Sequence, residues 1–304
     1  MNGGADVKMT QVAVARSAVG DYLDLLKMRL SSLVLVTTVV GFYVGAVGPR
    51  DLSFFLLLVH TVLGTALVAG GAMALNQYLE RVADGLMERT RNRPLPAGRL
   101  MPGEALVFGT VLTLAGLAYL AVAVNMITFL LAALTSFSYL FLYTPLKTRT
   151  PLCTLVGAVP GAIPPMMGYA AATGTIDAQA WVLFAILFVW QLPHFLAIAW
   201  LYRDDYARGK QMMLPVVDPA GTETARQMVS FSLALLPVTL VPATLNMAGL
   251  LYFGGALVLG MGFLAFAVQV ARTRTRVAAR RMFLASILYL PALLGLLMFD
   301  RTPW

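Results

Sequence analysis

Nine apolar segments, each long enough to cross a bilayer, dominate the sequence. They occupy residues 30–48, 53–76, 103–122, 126–145, 152–172, 179–201, 226–245, 249–270 and 282–299. A transmembrane helix needs about 20 predominantly apolar residues. With 59% hydrophobic and 12% charged residues, the composition is that of a membrane protein and not of a soluble globule. We therefore predict an all-α, polytopic membrane protein with nine transmembrane helices in a single domain over residues 18–304. Residues 1–17 are predicted to form a short mobile lead.

Basic residues are concentrated on one side of the predicted bundle. Of the 22 Lys and Arg residues, all but Arg50 and Arg301 precede the first segment or follow the second, fourth, sixth or eighth. The positive-inside rule then predicts a cytoplasmic N-terminus and a C-terminus outside. The net charge of +8 is explained by this topology and by contact with membrane lipid, so we predict no nucleic-acid partner.

A row of oxygen-bearing side chains follows the second apolar segment. Asn76, Glu80 and Asp84 are spaced four residues apart, so on a helix they share one face with a drift of about 40° per step. Carboxylates at this spacing repel each other unless a cation lies between them. Mg²⁺ binds carboxylate and amide oxygens, usually together with substrate phosphates. The row therefore predicts a site for Mg²⁺, with Mn²⁺ as the alternative ion, and for a diphosphate.

Arginines follow this row directly, at Arg89, Arg91 and Arg93. Guanidinium groups present forked donors that suit phosphate oxygens. Positive-inside topology alone would also place arginines here, so their position beside the acidic row is what favours a phosphate-binding role.

A second polar cluster follows the sixth apolar segment. Asp204 and Asp205 are adjacent there and lie among tyrosines and basic residues, namely Tyr202, Tyr206, Arg208 and Lys210. Two acidic helix ends, four segments apart, predict two pseudo-equivalent halves around one cavity. Metal ions would neutralise a diphosphate leaving group, and Arg and Lys would bind its outer oxygens. Surface ion pairs with Arg203 and Arg208 are the alternative explanation for the two aspartates.

Several short motifs together resemble the UbiA-type intramembrane prenyltransferases. They are Asn76-x3-Glu80-x3-Asp84, Met87-Glu-Arg89-Thr90, Arg93-Pro94, Tyr143-Thr-Pro145-Leu-Lys147, Gly157-Ala-Val-Pro160-Gly161 and Pro193-His194-Phe195. The first motif is typical of the whole superfamily. The Met-x-Arg-Thr-x-x-Arg-Pro continuation and the Tyr-Arg-Asp-Asp-Tyr run are similar to the branch that modifies heme.

The resemblance implies a fold and an activity. The nine helices would surround a central cavity open to the cytoplasm and to lipid, in the plasma (inner) membrane of a prokaryote, with the active site on the cytoplasmic side. The activity would be transfer of the farnesyl group of farnesyl diphosphate to a vinyl group of heme b, giving heme O and diphosphate. Heme b is then a substrate, Mg²⁺ a cofactor, and heme A synthase or terminal-oxidase assembly proteins are candidate partners.

The same resemblance assigns roles to individual residues. The expected metal ligands are Asn76, Glu80, Asp84, Asp204 and Asp205. The expected catalytic residues are Asn76, Glu80, Asp84 and His194, with His194 nearest heme as an axial ligand or a base. The expected substrate-binding residues are Lys27, Arg29, Arg89, Arg93, Tyr143, Lys147, Arg149, Tyr202, Arg208 and Lys210.

Two other functions remain open on the sequence alone. The same fold could prenylate an aromatic quinone precursor or another lipid-soluble acceptor, because no physical rule identifies the acceptor from these residues. A secondary transporter is the alternative from a different class. A transporter would carry ionisable residues near the bilayer midplane, and apart from His60 the apolar segments carry almost none.

Overall fold

The computed structural model describes residues 18–302. The lead predicted for residues 1–17 lies outside the described residues. The described helices are α1 (Ala18–Leu25), α2 (Met28–Gly45), α3 (Leu52–Leu86), α4 (Pro102–Ala123), α5 (Met126–Phe137), a π-helical segment (Ser138–Tyr143), α6 (Thr144–Leu146), α7 (Cys153–Thr173), α8 (Ala178–Leu201), α9 (Arg203–Arg208), α10 (Leu214–Val217), α11 (Thr222–Thr244), α12 (Leu250–Thr273) and α13 (Arg276–Phe299).

Within residues 18–302, nine helices are long and apolar enough to cross a membrane. They are α2, α3, α4, the continuous run Met126–Leu146, α7, α8, α11, α12 and α13. The predicted all-α architecture with nine spanning helices is therefore confirmed for this part of the chain. The largest difference in bounds is in α3, whose predicted apolar segment ends at residue 76 while the helix continues to Leu86.

α3 is longer than a membrane crossing requires. Its 35 residues extend over about 50 Å at 1.5 Å per residue, whereas the hydrocarbon core of a bilayer is about 30 Å thick. The C-terminal part of α3, which contains Asn76, Glu80 and Asp84, therefore reaches beyond the apolar region as an unbroken helix.

α7 lies at the centre of the bundle. It packs against α2, α5 and α8, and it is the most enclosed of the described spans. On one side α2 and α4 pack against α3, and on the other α11 and α13 pack against α8 and are joined by α12. Pro160, Pro164 and Pro165 lie inside α7 without ending it. Membrane helices tolerate internal proline where neighbouring groups satisfy the freed carbonyls.

Two glycines allow α2 and α7 to touch through their backbones. A Cβ atom added to Gly41 would overlap the carbonyl oxygen of Pro165, and one added to Gly168 would overlap the carbonyl oxygen of Thr38. Small residues at such contacts are typical of helix interfaces in membranes, where close packing replaces hydrophobic attraction. The position of α2, which begins directly after Lys27, is thus fixed against the central helix.

The polar clusters lie together at one end of the bundle, where α1 and residues 87–101 fold over the ends of α3 and α4. Leu25 of α1 packs there in a small buried core with Ala74, Leu95, Leu100 and Ala105. Asp21 of α1 accepts a 2.8 Å hydrogen bond from Arg99. We call this end the basic end, and we call the end that carries Arg50 and Arg301 the opposite end.

The backbone contact between α2 and α7 can be tested with alanine. We expect Gly168→Ala to destabilise the protein by about 1–3 kcal/mol, because the added methyl group meets a backbone oxygen that cannot turn aside. Thermal unfolding of the purified protein in detergent measures the change.

Gly254→Ala is the matched control, because a Cβ atom at Gly254 of α12 meets no atom within 4 Å. Alanine favours a helix over glycine by about 1 kcal/mol, so this variant should unfold at the same temperature or slightly higher. Equal losses of stability in both variants would contradict the proposed contact.

Candidate active site

Three oxygen-bearing side chains lie on one buried face of α3 at the basic end. Asn76, Glu80 and Asp84 are 0%, 8% and 1% exposed. Because α3 is unbroken from Leu52 to Leu86, their spacing of four residues places them in a single row, which we call the α3 row. Burial of carboxylates costs several kcal/mol each unless they are paired.

Each member of the α3 row is hydrogen-bonded to a different cationic side chain. The pairs are Lys27 Nζ to Asn76 Oδ1 at 2.7 Å, Lys147 Nζ to Glu80 Oε1 at 2.7 Å, and Arg93 Nη1 to Asp84 Oδ2 at 2.6 Å. The three cations come from three separate segments, which follow α1, α3 and α6. Three of the residues predicted to bind substrate thus lie against the α3 row, and their contacts with substrate stay predictions.

Lys27 reaches the row from a strained backbone. It joins α1 to α2 with φ 45°, in the left-handed region. That conformation costs a residue with a Cβ atom about 1–2 kcal/mol, and such strain is concentrated at functional sites. Burial, together with the positive charge of Arg93, lowers the pKa of Lys27 to about 7. The fold thus holds a poorly solvated ammonium group against Asn76.

Lys147 follows an irregular part of its helix. Ser138–Tyr143 form a π-helical turn, a rare conformation that is frequent at functional sites. Lys147 Nζ lies 4.5 Å from the centre of the Tyr143 ring. Burial opposes the charged form of Lys147, but the Glu80 carboxylate raises its pKa well above the usual value. The Glu80 carboxylate therefore favours the charged form of Lys147 beside the α3 row.

Arg93 reaches Asp84 from the segment that folds back over the end of α3. Thr90 Oγ1 donates a 2.8 Å hydrogen bond to the Asp84 carbonyl, and the Arg93 backbone N–H donates to the Thr90 carbonyl at 2.9 Å. Pro94 and Leu95 are buried directly after this turn. A compact, anchored turn therefore positions the Arg93 guanidinium group.

Asp205 connects the second polar cluster to the same segment. It is buried, and its carboxylate accepts the backbone N–H groups of Glu88 at 3.0 Å and Arg89 at 3.3 Å. Its side chain is also paired with Arg208. Although burial acts in the other direction, the Arg208 guanidinium and the two N–H groups hold the pKa of Asp205 below its usual value. In this geometry Asp205 fastens α9 to the start of residues 87–101.

Asp204 has different surroundings. It is exposed, and among the described residues the cationic group within 4 Å of its carboxylate is that of Arg203, at 3.7 Å. Arg89 lies over the rings of Tyr202 and Tyr206, at 5.1 and 5.8 Å from their centres. The expected roles of Asp204 and Asp205 as a second pair of metal ligands, and of Arg89 and Tyr202 in substrate binding, stay predictions.

His194 lies between α8 and α13. Its ring stacks on Trp190 at 5.0 Å and on Phe283 at 5.4 Å, and its Nδ1 is 2.6 Å from Ser286 Oγ. These partners belong to α8 and α13, and none of them is part of the α3 row. The expected role of His194 near heme stays a prediction, and aromatic stacking on both faces gives the ring a second, structural function.

The remaining predicted residues are not hydrogen-bonded to the α3 row. Arg29, Arg149 and Lys210 are exposed at the basic end. Lys210 follows α9 with φ 55°. Their expected substrate contacts stay predictions.

Two side chains that organise the site, Thr144 and Gln77, were not among the predicted site residues. Asn76 Nδ2 donates to Thr144 Oγ1 at 3.1 Å, which leaves Asn76 Oδ1 turned toward Lys27. Gln77 Nε2 donates to the carbonyls of Asp24 and Leu25, which ties α1 to α3. Gln77 follows Asn76 directly in the sequence, and a second amide at the end of an apolar helix was an available signal.

The donor chemistry of the α3 row fits Mg²⁺. Within residues 18–302 no group of three or more His, Cys, Asp or Glu side chains is arranged to hold a metal ion. The row instead offers two carboxylates and one amide oxygen, and Mg²⁺ is usually held by one or two carboxylates together with substrate phosphates. Asn76, Glu80 and Asp84 would therefore hold the ion jointly with a phosphorylated substrate.

A sequence model of the UbiA prenyltransferase family matches residues 34–290. The chain belongs to this family. The matched region begins inside α2 and ends inside α13, so it contains the α3 row, Arg93 and Lys147. Membership in the UbiA prenyltransferase family also identifies the protein as an integral membrane protein and a prenyltransferase.

Bacterial relatives in the UbiA family match nearly the whole chain. The protoheme IX farnesyltransferase of Solibacter usitatus is 50% identical over 287 residues, covering 92% of this chain and 98% of the relative. The protoheme IX farnesyltransferase of Salinibacter ruber is 48% identical over 280 residues, with 92% and 98% covered.

Solved structures of UbiA-type proteins share the fold. A digeranylgeranylglyceryl phosphate synthase superposes with a TM-score of 0.78 at 13% identity, covering 93% of this chain and 98% of that one. A UbiA homolog from Archaeoglobus fulgidus bound to GPP and Mg²⁺ superposes with a TM-score of 0.64 at 16% identity, covering 91% and 99%.

Asp205 is buried and Asp204 is exposed, so substitution of these adjacent residues in this UbiA protein should affect its stability differently. We expect Asp205→Asn to destabilise it by about 1–3 kcal/mol, because two backbone N–H groups and a guanidinium group lose a charged acceptor. Asp204→Asn, at an exposed position, should change stability by less than about 0.5 kcal/mol. Thermal unfolding measures both, and hydrogen exchange at the amides of residues 88 and 89 reports the local loosening.

The effect of Asp205 should depend on pH with a definite sign. Its folded pKa lies below its unfolded value, so its contribution to stability is present above the unfolded pKa and is lost as the pH falls through the folded pKa. The difference between the wild-type protein and Asp205→Asn should therefore shrink in acid. Identical stability of the Asp204→Asn and Asp205→Asn variants at neutral pH would rule out the fastening role.

The Glu80–Lys147 pair can be measured by a double-mutant cycle. We expect Glu80→Gln alone to cost about 3–5 kcal/mol, because it leaves a buried ammonium group unpaired. The Glu80→Gln/Lys147→Met double variant should cost less than the sum of the two single changes, with a coupling of at least about 1 kcal/mol.

The exposed pair Glu223–Arg226, at 3.1 Å, is the control for this cycle. Its coupling should stay below about 1 kcal/mol, as for other solvated ion pairs. If the two cycles give the same coupling, the buried pair does not have the strength that its geometry indicates.

Proposed function

We propose that this protein transfers the farnesyl group of farnesyl diphosphate to a vinyl group of heme b, giving heme O and diphosphate. The α3 row with its three cationic partners is the single observation that supports a diphosphate substrate. The choice of acceptor is supported by the curated relatives, since proteins 50% and 48% identical to this chain are named protoheme IX farnesyltransferase.

Diphosphate binding would use both the carboxylates of the α3 row, through Mg²⁺, and the three cationic side chains beside them. Bound Mg²⁺ would neutralise the diphosphate leaving group and so favour its departure. Lys27, Lys147 and Arg93 already lie within 2.7 Å of the row, and their N–H donors suit the phosphate oxygens that the ion leaves uncovered. Of these, Lys147 keeps its full charge because Glu80 stabilises it.

Transfer to heme would exchange one bond for another. The bond between C1 of farnesyl and the diphosphate oxygen breaks, and both of its electrons leave with diphosphate. The terminal vinyl carbon supplies the electron pair for the new bond to C1, and water adds to the remaining porphyrin-side carbon and loses one proton. The product carries a hydroxyethylfarnesyl arm.

The position of the site suits an amphiphilic substrate. The charged groups lie at the basic end, where a diphosphate can be reached from water, and the apolar spans would enclose the farnesyl chain and the porphyrin in a central cavity. We place the basic end on the cytoplasmic side of a prokaryotic plasma membrane, with the C-terminus outside, on the distribution of Lys and Arg. Mn²⁺ would be an alternative ion. Heme A synthase and terminal-oxidase assembly proteins are the proposed partners.

The second acidic pair and His194 have narrower roles in this proposal. Asp204 and Asp205 would complete the metal and diphosphate site from α9. His194 would contact heme as an axial ligand or serve as a base in the proton step. Arg29, Arg89, Arg149, Arg208, Lys210, Tyr143 and Tyr202 would contribute further substrate contacts.

A turnover assay tests the reaction. Purified protein is incubated with farnesyl diphosphate, heme b and Mg²⁺, and the products are separated and weighed by mass spectrometry. We expect a heme heavier by one farnesyl group and one hydroxyl group. Asp84→Asn should lower the rate by about a hundredfold or more, since it removes a charge at the centre of the site, and EDTA should abolish the reaction.

Glu223→Gln is the matched control, because Glu223 is a carboxylate at the same end whose partners within residues 18–302 are the neighbouring Arg226 and Gln227. It should keep full activity. Consumption of farnesyl diphosphate without any change in heme would overturn the acceptor and favour an aromatic or other lipid-soluble acceptor. Failure to bind either substrate would overturn the proposed reaction altogether.

A further inference from the structure

The opposite end of the bundle contains a polar pocket that prenyl transfer does not use. The pocket has a volume of about 270 Å³ and lies between the C-terminal ends of α2 and α13 and the N-terminal end of α3. Its lining includes Tyr43, Val47, Arg50, Phe54, Phe299 and Arg301. Along α3, Phe54 is about 33 Å from Asn76 at 1.5 Å per residue. The pocket is therefore separate from the α3 row.

Two guanidinium groups are gathered around one tyrosine in this pocket. Arg50 Nη2 donates to the Tyr43 hydroxyl at 2.6 Å, and Arg301 Nη1 donates to the Tyr43 carbonyl at 2.8 Å. Arg301 Nη2 also donates to the carbonyl of Ala46, just after α2 ends. Both guanidinium groups lie over the Tyr43 ring, at 4.6 and 5.3 Å from its centre. The fold thus brings two like charges together.

Neither arginine is balanced by a carboxylate within residues 18–302, where each ion pair joins other residues. The neighbouring acidic residues, Asp51 and Asp300, instead accept backbone N–H groups at the starts of α3 and α12. Arg50 is exposed and Arg301 is half-buried, and a cation that is partly removed from water is costly unless an anion or hydrogen-bond acceptors compensate it.

Arg301 is also incompletely hydrogen-bonded. Its Nε–H group is buried and has no acceptor among the described residues. Burial lowers the pKa of Arg301, and the charge of Arg50 acts in the same direction. A bound anion would supply an acceptor for the Nε–H group of Arg301 and would offset the repulsion between the two guanidinium groups.

The surface beside the pocket is apolar and exposed. Val47 and Phe299, which line the pocket, are 70% and 81% exposed. A pocket of this volume is smaller than the range of about 300–1,000 Å³ that is usual for drug-sized ligands, so it suits a headgroup and not a porphyrin or a farnesyl chain. Guanidinium groups bind phosphate oxygens through forked hydrogen bonds, so two arginines beside exposed apolar side chains suit the headgroup and acyl chains of a lipid.

We propose that this pocket binds the anionic phosphate headgroup of a membrane phospholipid. Arg50 and Arg301 would contact the phosphate oxygens, and the acyl chains would lie on the exposed apolar surface next to Val47 and Phe299. Two adjacent arginines beside exposed apolar side chains favour a lipid over a free phosphate ion. The site is independent of the reaction at the basic end.

Lipid titration of the delipidated, full-length protein in detergent tests the proposal. Thermal unfolding is followed with added phosphatidylglycerol, with phosphatidylcholine of the same acyl chains, and with inorganic phosphate. We expect a saturable rise in melting temperature with phosphatidylglycerol and none with phosphatidylcholine or inorganic phosphate. Arg50→Gln should weaken this binding about fivefold to tenfold, since one guanidinium near a lipid phosphate is worth about 1 kcal/mol.

Arg272→Gln, an exposed arginine at the basic end, is the matched control and should bind phosphatidylglycerol like the wild type. Arg50 is preferred to Arg301 for substitution because Arg301 also holds the end of α2. The proposal also requires Arg50→Gln to leave prenyl transfer unchanged.

Three results would overturn the proposal. Equal weakening in Arg50→Gln and Arg272→Gln would show binding by general charge. An equal effect of inorganic phosphate would show that the pocket takes the free anion and not a lipid. Equal effects of phosphatidylglycerol and phosphatidylcholine would show that the pocket does not select an anionic headgroup.

Discussion

The buried row of oxygens on α3 is the constraint on which the basic end of the structure depends. Two carboxylates and an amide in that position would be costly to bury without cations, and the cations come from segments far apart in the sequence. Lys27, Arg93 and Lys147 can reach the row only if α1, residues 87–101 and the end of α6 are folded around α3. The hydrogen bonds from these three cations therefore hold the site together, and two of them also pair the buried carboxylates.

Apolar packing holds the membrane-spanning helices together, whereas hydrogen bonds and ion pairs hold the segments at the basic end. The apolar spans are organised around α7, whose contact with α2 is as close as two backbones allow. The segments at the basic end share a small apolar core around Leu25, and they are also held by specific hydrogen bonds, such as those of Gln77 to α1 and of Asp205 to residues 88 and 89. Loss of a hydrogen bond at this end would loosen the site without disturbing the spans.

The sequence was sufficient for the nine spans and for the α3 row, because both depend on local patterns. Apolar length predicts a spanning helix, and a spacing of four residues predicts a shared face wherever the helix continues. The same logic did not extend to partners. Nothing in the spacing of Asp204 and Asp205 indicates that one is buried against the backbone of residues 88 and 89 while the other is exposed.

For contacts between distant segments, the sequence indicated which types of residue would meet but not which individual residues would pair. Lysine and arginine near an acidic row were expected to meet phosphate, but their individual pairing with Asn76, Glu80 and Asp84 depends on how the loops return to α3. Thr144 and Ser286 were not identified, since a threonine or serine hydroxyl in an apolar helix ordinarily bonds to its own backbone. Their roles beside Asn76 and His194 are set by the packing of other helices.

The π-helical turn at Ser138–Tyr143 makes the length of this part of the chain significant. Such a turn accommodates one residue more than an α-helix does over the same path, and each residue of an α-helix turns the next by about 100°. Removal of one residue here would leave a regular α-helix over the same path, with Lys147 still directed toward Glu80. Removal of one residue from the regular part of the same span, Met126–Phe137, would instead turn everything after it by about 100° and carry Lys147 away from Glu80. The π-helical turn is thus the place where the fourth span can change its length without disturbing the charge balance of the α3 row.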